Sequence, residues 1–458
     1  GAEASFYNGV ATQSLRFNDD DTASLSWTPS SAGNRKKWTF STWLKRSTIT
    51  NASSGDQYIF SQATGSNNND SFIALIFRGD DLDVTCHSIE LLRSDAKFRD
   101  VGAWYHILWV LDTENSTASH RMRLYVNGDE ITSFSTDNRS NSVLDGTNMP
   151  ILNNLIHYIG RNGGSTSQNF DGYLAYTELV EGEALTPSSF TEEKNGVLIP
   201  KAYTGDHGTY GFRLEYKETG DGSSSASSST IGADTKSNAT KQHWNDNNLN
   251  AHDSNMPDSP ENNFNNWNPL ARRHDVSTLP TFSEGNTKIV SPNLSGNSTY
   301  GFGTIQVGGA GKWYFEVYVT NNAGSGTQII GISNQGHFHG SGNSGMIGYK
   351  SDGEAYSNGG SASSFGASYT DGDIISVAVD ADSKTVQFFK NGASQGTLSS
   401  LTINEFLTFT QNNTDDGVII NSGQDSSFAG NKTAQGNTDG SIGDFYYAPP
   451  SGFLALCS

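Results

Sequence analysis

Positive charge is scarce in this 458-residue chain, where 28 Lys and Arg face 48 Asp and Glu and the formal charge is −20 at pH 7. A nucleic-acid binder needs basic patches that displace counterions, and an acidic chain repels polyphosphates and anionic lipid headgroups alike. Long apolar runs are missing too. The most apolar stretches, Phe72 to Phe77 and Tyr105 to Leu111, have strand length and fall far short of the roughly 20 residues that cross a bilayer as a helix. Neither nucleic acid nor membrane insertion is therefore expected. The start of the sequence also lacks the pattern of a signal peptide or amphipathic presequence. Only two cysteines occur, Cys86 and Cys457, far apart and outside any zinc or redox spacing, so two unpaired thiols are expected.

What is abundant points to sheets. Gly (50 residues), Asn and Ser favour turns and local backbone hydrogen bonds over helix, whereas 11% aromatics with many Val, Ile and Thr suit pleated strands. An all-β chain follows, long enough for two antiparallel β-sandwiches with a core each. Trp38 to Leu44 alternates large apolar with small polar residues. Trp104 to Leu111, a polar turn from Asp112 to Ser119, and Arg121 to Val126 lead into Asn127-Gly128, the strongest short-range hairpin signal because a type I′ turn needs φ > 0 at both central residues. The second half repeats this order. Ile374 to Val379, the acidic turn from Asp380 to Ser383, and Thr385 to Lys390 run into Asn391-Gly392.

These runs divide the chain into residues 1–216, a Ser/Asn/Asp-rich segment over 217–273, and residues 274–458. The middle segment has linker composition, yet Trp244, Leu249, Phe264 and Trp267 interrupt it, so a flexible tether and a wrapped strap are both open.

The first part resembles the concanavalin A-like, laminin G-like jelly roll. The resemblance is carried by Trp38 to Leu44, Trp104-Tyr105-His106, Arg123 to Gly128, Phe170 to Ala175 and Ala184 to Phe190. The last part resembles a SPRY-type sandwich through Gly311 to Val317, Gly372 to Ile375, Phe388 to Gly392 and Ile420 to Gln424. At Ser422 many members of that family carry Phe, so one core position is altered. The tandem order, with the opening Gly9-Val10 to Phe17 and the ending Pro449 to Cys457, is similar to structural proteins of marine tailed bacteriophages. That resemblance implies a protein of the virion surface, a head or tail fibre or a decoration protein, multimeric on the particle and in contact with other virion proteins.

No catalytic motif survives its context. Gly392-Ala393-Ser394-Gln395-Gly396 has the spacing of a hydrolase nucleophile elbow but follows a hairpin turn and precedes a strand, where an elbow needs strand, turn, helix. Gly308 to Lys312 lacks the spacing of a phosphate loop, and Trp313 stands where magnesium needs a hydroxyl. Glu178, Glu181 and Glu183 form the densest acidic group, expected as a solvated rim at a strand exit. A glycosidase would need facing carboxylates, which keeps a secreted glycan hydrolase as a minor alternative. Asp19 to Asp21, Asp80 to Asp83, and Asp380 with Asp382 read as surface turns; calcium is the one cofactor such oxygens suit, and none fits an EF-hand.

Binding is better motivated. The segment from Gln335 to Phe365 gathers His337, Phe338, His339, Tyr349, Tyr356 and Phe365 among Gly, Ser and Asn, and aromatic faces beside small polar groups suit glycans and protein epitopes. His337, His339, Tyr349, Tyr356 and Phe365 are the candidate ligand residues; the competing reading is that these rings fill a sandwich core. Tyr58, Trp104, Trp109 and Tyr173 are expected in the core of the first part. The leading expectation is a non-enzymatic virion-surface adhesin for a host glycan or protein, with structural decoration of capsid or tail as the alternative.

Overall fold

A computed structural model describes residues 6–49, 55–63, 72–87, 89–165, 167–220, 226–271, 279–292, 298–322, 328–334, 345–358, 361–399, 401–402 and 404–458. The chain is almost entirely antiparallel β and forms two compact units, Gly1–Glu261 and Asn262–Ser458. The division falls inside the Ser/Asn/Asp-rich segment.

In the first unit two sheets pack face to face. One has the spatial order Leu15–Phe17, Gly172–Glu181, Lys37–Arg46, Trp104–Asp112, Met122–Val126 and Asp129–Glu130, with Phe212–Leu214 also paired to Gly172–Glu181. The other runs Phe134–Asp137, Ile89–Lys97, Asp81–Cys86, Phe72–Arg78, Asp56–Ala63, His157–Ile159, Ser24–Trp27 and Asn245–Asn247. Period-2 patterning explains the core: Trp38, Phe40 and Leu44 point between the sheets, where Trp38 meets Trp109 edge-on at 4.7 Å and Phe40 stacks on Phe60 at 4.5 Å. Trp109, Tyr58 and Tyr173 are buried as expected, while Trp104 is half-buried. Trp43 points the other way, into a smaller cluster with Ala11, Ala175 and Tyr176.

Residues 226–261 of the middle segment pack against the first unit. Asn245–Asn247 adds an edge strand beside Ser24–Trp27, and Trp244 enters the core against Phe212, Trp27 and Phe60. Arg16 meets Asp253 at 3.2 Å, and Lys45 meets Asp258 at 2.9 Å, both pairs out of solvent. At its end Glu261 accepts from the backbone N–H groups of Gly9 and Ala11, so the unit opens and closes at one place. Residues 221–225 of the Ser tract lie outside the described residues.

The second unit repeats the two-sheet plan. One sheet orders Thr281–Ser283, Lys288–Val290, Gly417–Asn421, Lys312–Asn321, Ile374–Asp380, Thr385–Lys390 and Ala393–Leu398, with Leu454–Ala455 parallel to Lys312–Asn321. The other is built on Glu405–Asn412, Ile329–Ser333 and Met346–Lys350. Phe315, Val317, Ile330, Val377 and Phe388 fill the space between. Here too the ends meet, as Asn263 and Ser458 exchange two backbone hydrogen bonds of 3.1 and 3.0 Å.

Both Asn-Gly turns form as the sequence predicts, with φ of 52° and 88° at Asn127-Gly128 and 49° and 79° at Asn391-Gly392. The two asparagines do the same work. Asn127 Oδ1 accepts from His106 N–H at 2.8 Å and Asn391 Oδ1 from Ile374 N–H at 2.9 Å, closing the neighbouring strand where its ladder ends. Ser422 is fully buried, and its hydroxyl accepts from Asn265 at 3.1 Å; a polar contact replaces the aromatic ring common there.

Candidate functional site

The residues nominated from sequence separate in space. His337 and His339, with Phe338, lie outside the described residues. Tyr349 is fully buried in Met346–Lys350, its ring 5.3 Å from Tyr369 and 5.7 Å from Phe388, and burial pushes its hydroxyl up to about 12. It therefore fills the core rather than facing a ligand. Phe365 packs on the same core and is only partly open. Tyr356 is half-buried, with Lys350 Nζ 5.7 Å from its ring centre.

The acidic group is not the solvated rim expected. Glu178 is fully buried, accepting from His207 Nε2 at 3.0 Å and Arg213 Nε at 2.8 Å, because residues 203–213 fold over this face of its strand. Glu181 accepts from the backbone N–H groups of Asn34 and Tyr210, and Glu183 is exposed. These carboxylates cap and pair rather than face one another across a cleft. Two of the acidic turns are ion-paired as well, Asp81 with Arg93 at 2.8 Å and Asp380 with Lys312 at 3.1 Å. Among the described residues no three His, Cys, Asp or Glu are arranged to hold a metal ion. Ser394 is exposed on a strand beyond the turn glycine Gly392, as its hairpin context requires.

A different site emerges on the outer face of the second unit. Strand register sets Asn421, Glu316, Ser376 and Phe389 in one row across four strands. Tyr314, two residues before Glu316, shares that face. The segment from Phe445 to Pro450 crosses above it. Between them lies a pocket of about 60 Å³ lined by Tyr314, Ser376, Phe389, Gly392, Tyr447, Ala448 and Pro450. Phe389 and Tyr447 are partly open, whereas Ser376 is buried and its Oγ makes no well-formed hydrogen bond.

Glu316 holds the roof in place. Its carboxylate accepts from Tyr447 N–H at 2.7 Å, Tyr446 N–H at 2.8 Å, Tyr314 Oη–H at 3.0 Å and Asn421 Nδ2–H at 3.1 Å. Desolvation pushes its pKa up to about 7, against the pull of those four donors. Among the described residues no Lys or Arg pairs with it. Gly392 permits the close roof, since a Cβ there would lie 2.9 Å from the Tyr447 ring.

The first unit offers an open groove of about 440 Å³ where the Asn127-Gly128 turn faces the Thr191–Pro200 hairpin. Its walls are polar, including Asp129, Ser188, Thr191, Glu192 and Lys201.

Residues 18–189 match the model of the concanavalin A-like lectin/glucanases superfamily, and residues 312–424 match that of the SPRY domain. Laminin G-like and SPRY domains stand in tandem. A dual specificity protein kinase, splA, of Dictyostelium discoideum is 31% identical over 114 residues; these are 24% of this chain and only 5% of that protein's length. Among solved structures, the SPRY domain of human HERC1 is 22% identical with a TM-score of 0.29, over 35% of this chain and 97% of that one. A heptameric SAP-like pentraxin from Limulus polyphemus is 19% identical with a TM-score of 0.28, over 38% and 76%.

The SPRY pocket draws on residues that are up to 136 positions apart in the chain. Its one sequence signal is Glu316, a lone carboxylate inside the apolar run from Trp313 to Val319. A charge on a core strand calls for partners, and the partners here include backbone amides that composition cannot announce.

Proposed function

We propose that this chain is a non-enzymatic binding protein displayed on a virion surface, as a head or tail fibre or related adhesin, that contacts a host-surface glycan or protein. The observation that carries the binding role is the SPRY pocket, where the partly open rings of Phe389 and Tyr447 stand over the buried Tyr314 and Ser376. Aromatic faces with few polar groups are the common make-up of ligand sites. The polar groove of the laminin G-like domain supplies a second, shallower contact surface. The virion setting rests on the likeness of the tandem order to phage structural proteins, and the charge of −20 suits dense display because neighbouring copies repel. Weak single sites then act through avidity, where linked copies raise binding by about 10² to 10⁴ without new contacts.

The test blocks the protein on intact particles with Fab fragments raised against it. Adsorption to host cells is expected to fall, and cells pre-incubated with the free protein are expected to resist adsorption. Unchanged adsorption combined with fragile particles would sink the adhesin reading in favour of structural decoration.

A further inference from the structure

The first unit buries a histidine whose two ring nitrogens are both committed. His157 is fully buried in His157–Ile159, which runs between Asp56–Ala63 and Ser24–Trp27. Its Nδ1 lies 2.8 Å from the Leu155 carbonyl, which can only accept, so Nδ1 carries the proton. Its Nε2 receives the Leu152 N–H at 3.0 Å and must therefore be bare. A second proton on the ring would point at that N–H. The side chains around the ring do not ionise: Trp27 stands at 5.2 Å with Trp244 behind it, Phe60 at 6.2 Å, and Gln62 is the partner in register. Among the described residues no charged group acts on it, and burial lowers its pKa from 6.5 to about 3.

The chain that Nε2 holds is part of the core. Met149, Ile151 and Leu152 enter the apolar interior, each at most 1% exposed. Leu152 has φ 67°, in the left-handed region that a Cβ disfavours, so its backbone is held there against its own preference. Its N–H is fixed by His157, and its carbonyl accepts from Gly33 N–H at 2.8 Å. We infer that His157 is an acid-released latch: protonation of Nε2 breaks the bond to Leu152 and frees residues 149–156, so that the core of the first unit opens there in acid and presents Met149, Ile151 and Leu152. The buried His106 provides a contrast. Its Nε2 meets the Ser41 hydroxyl at 2.9 Å, which can turn from donor to acceptor and belongs to a paired strand rather than a loop.

Hydrogen–deuterium exchange of the full chain, corrected for the intrinsic pH dependence of amide exchange, reads the latch in peptides that contain Leu152. The closed form is favoured above pH 6.5 and loses ground as pH falls, because the open ring takes up a proton that the closed ring refuses. With these two values, protection is expected to fall about thirtyfold from pH 7.5 to 5.0, while peptides from Trp104–Asp112 stay protected. His157→Gln can accept the Leu152 N–H without titrating and is expected to lose this pH dependence; His106→Gln is expected to keep it. Exchange of the histidine C2–H in the wild-type chain reads the His157 titration directly and needs no variant, with a midpoint well below 6.5 expected. A midpoint near 6.5 overturns the inference, as does flat Leu152 protection between the two pH values. Loss of protection throughout the unit together also overturns it, since acid would then act on global stability, and so does a pH dependence that persists in His157→Gln.

Discussion

Glu316 makes the stability of the SPRY domain depend on pH in an unusual direction. Its carboxyl has an ordinary value of 4.5 and is raised to about 7 by burial. The folded domain therefore holds its proton more tightly than the unfolded chain does. Below pH 4.5 both states are protonated and the group contributes no difference; as pH rises, the unfolded chain ionises first and stability falls until about pH 7, then levels. A gap of this size corresponds to about 3 kcal/mol, or a melting shift of roughly 6–12 °C for a domain of this length. The carboxylates with lowered values in this unit, such as Asp373 and Asp439, act with the opposite sign and lower down: their contribution is present above about pH 3.8 and lost as pH falls below it. They leave the window from 4.5 to 7 to Glu316. Calorimetric scans of the full chain and of Glu316→Gln, taken every half unit from pH 4.5 to 7.5, isolate the effect. The wild-type SPRY transition is expected to drop across this range while the variant, which mimics the protonated form, stays flat relative to it. Parallel curves for the two proteins would refute the reasoning.

Three further outcomes follow from the packing. Trp244→Ala empties a fully buried site and should cost the laminin G-like domain about 3–5 kcal/mol, with residues 226–261 becoming protease-sensitive; a stable, resistant variant would mean the strap is not integral. Lys45→Met strands the buried Asp258 carboxylate and should cost about 3–5 kcal/mol in urea unfolding, while Lys45→Met with Asp258→Leu should recover most of it. Asn127→Ala removes both the acceptor for His106 N–H and a residue tolerant of φ 52°, so a loss of about 1–2 kcal/mol is expected by the same assay.

Much of the fold was legible because it is local. An Asn-Gly pair between alternating runs specifies its turn whatever surrounds it, and both pairs behave so. The Trp104 strand and the Trp38 strand likewise carry their own period. Tyr349 shows the limit: an aromatic among glycines and serines looks available, and only the rings of Tyr369 and Phe388 folding round it make it interior. Glu178 failed the same way, since His207 and Arg213 lie 29 and 35 residues on and nothing near Glu178 announces them. The strap was ambiguous because one tryptophan in a polar stretch anchors as well as many when its pocket is made by Trp27, Phe60 and Phe212 from elsewhere. The SPRY pocket is the extreme case, a product of register between strands whose sequences are each ordinary.

Each unit closes on itself, Glu261 against Gly9 and Ala11 in one and Ser458 against Asn263 in the other, and this governs how the protein must be made. Asn245–Asn247 is the strand that covers Ser24–Trp27, so that sheet edge stays unpaired until the strap leaves the ribosome, and Arg16 and Lys45 of the facing sheet wait as long for Asp253 and Asp258. At about 5–20 residues per second that interval is on the order of ten to fifty seconds, during which an apolar edge with Trp27 beside it is open to neighbouring nascent chains.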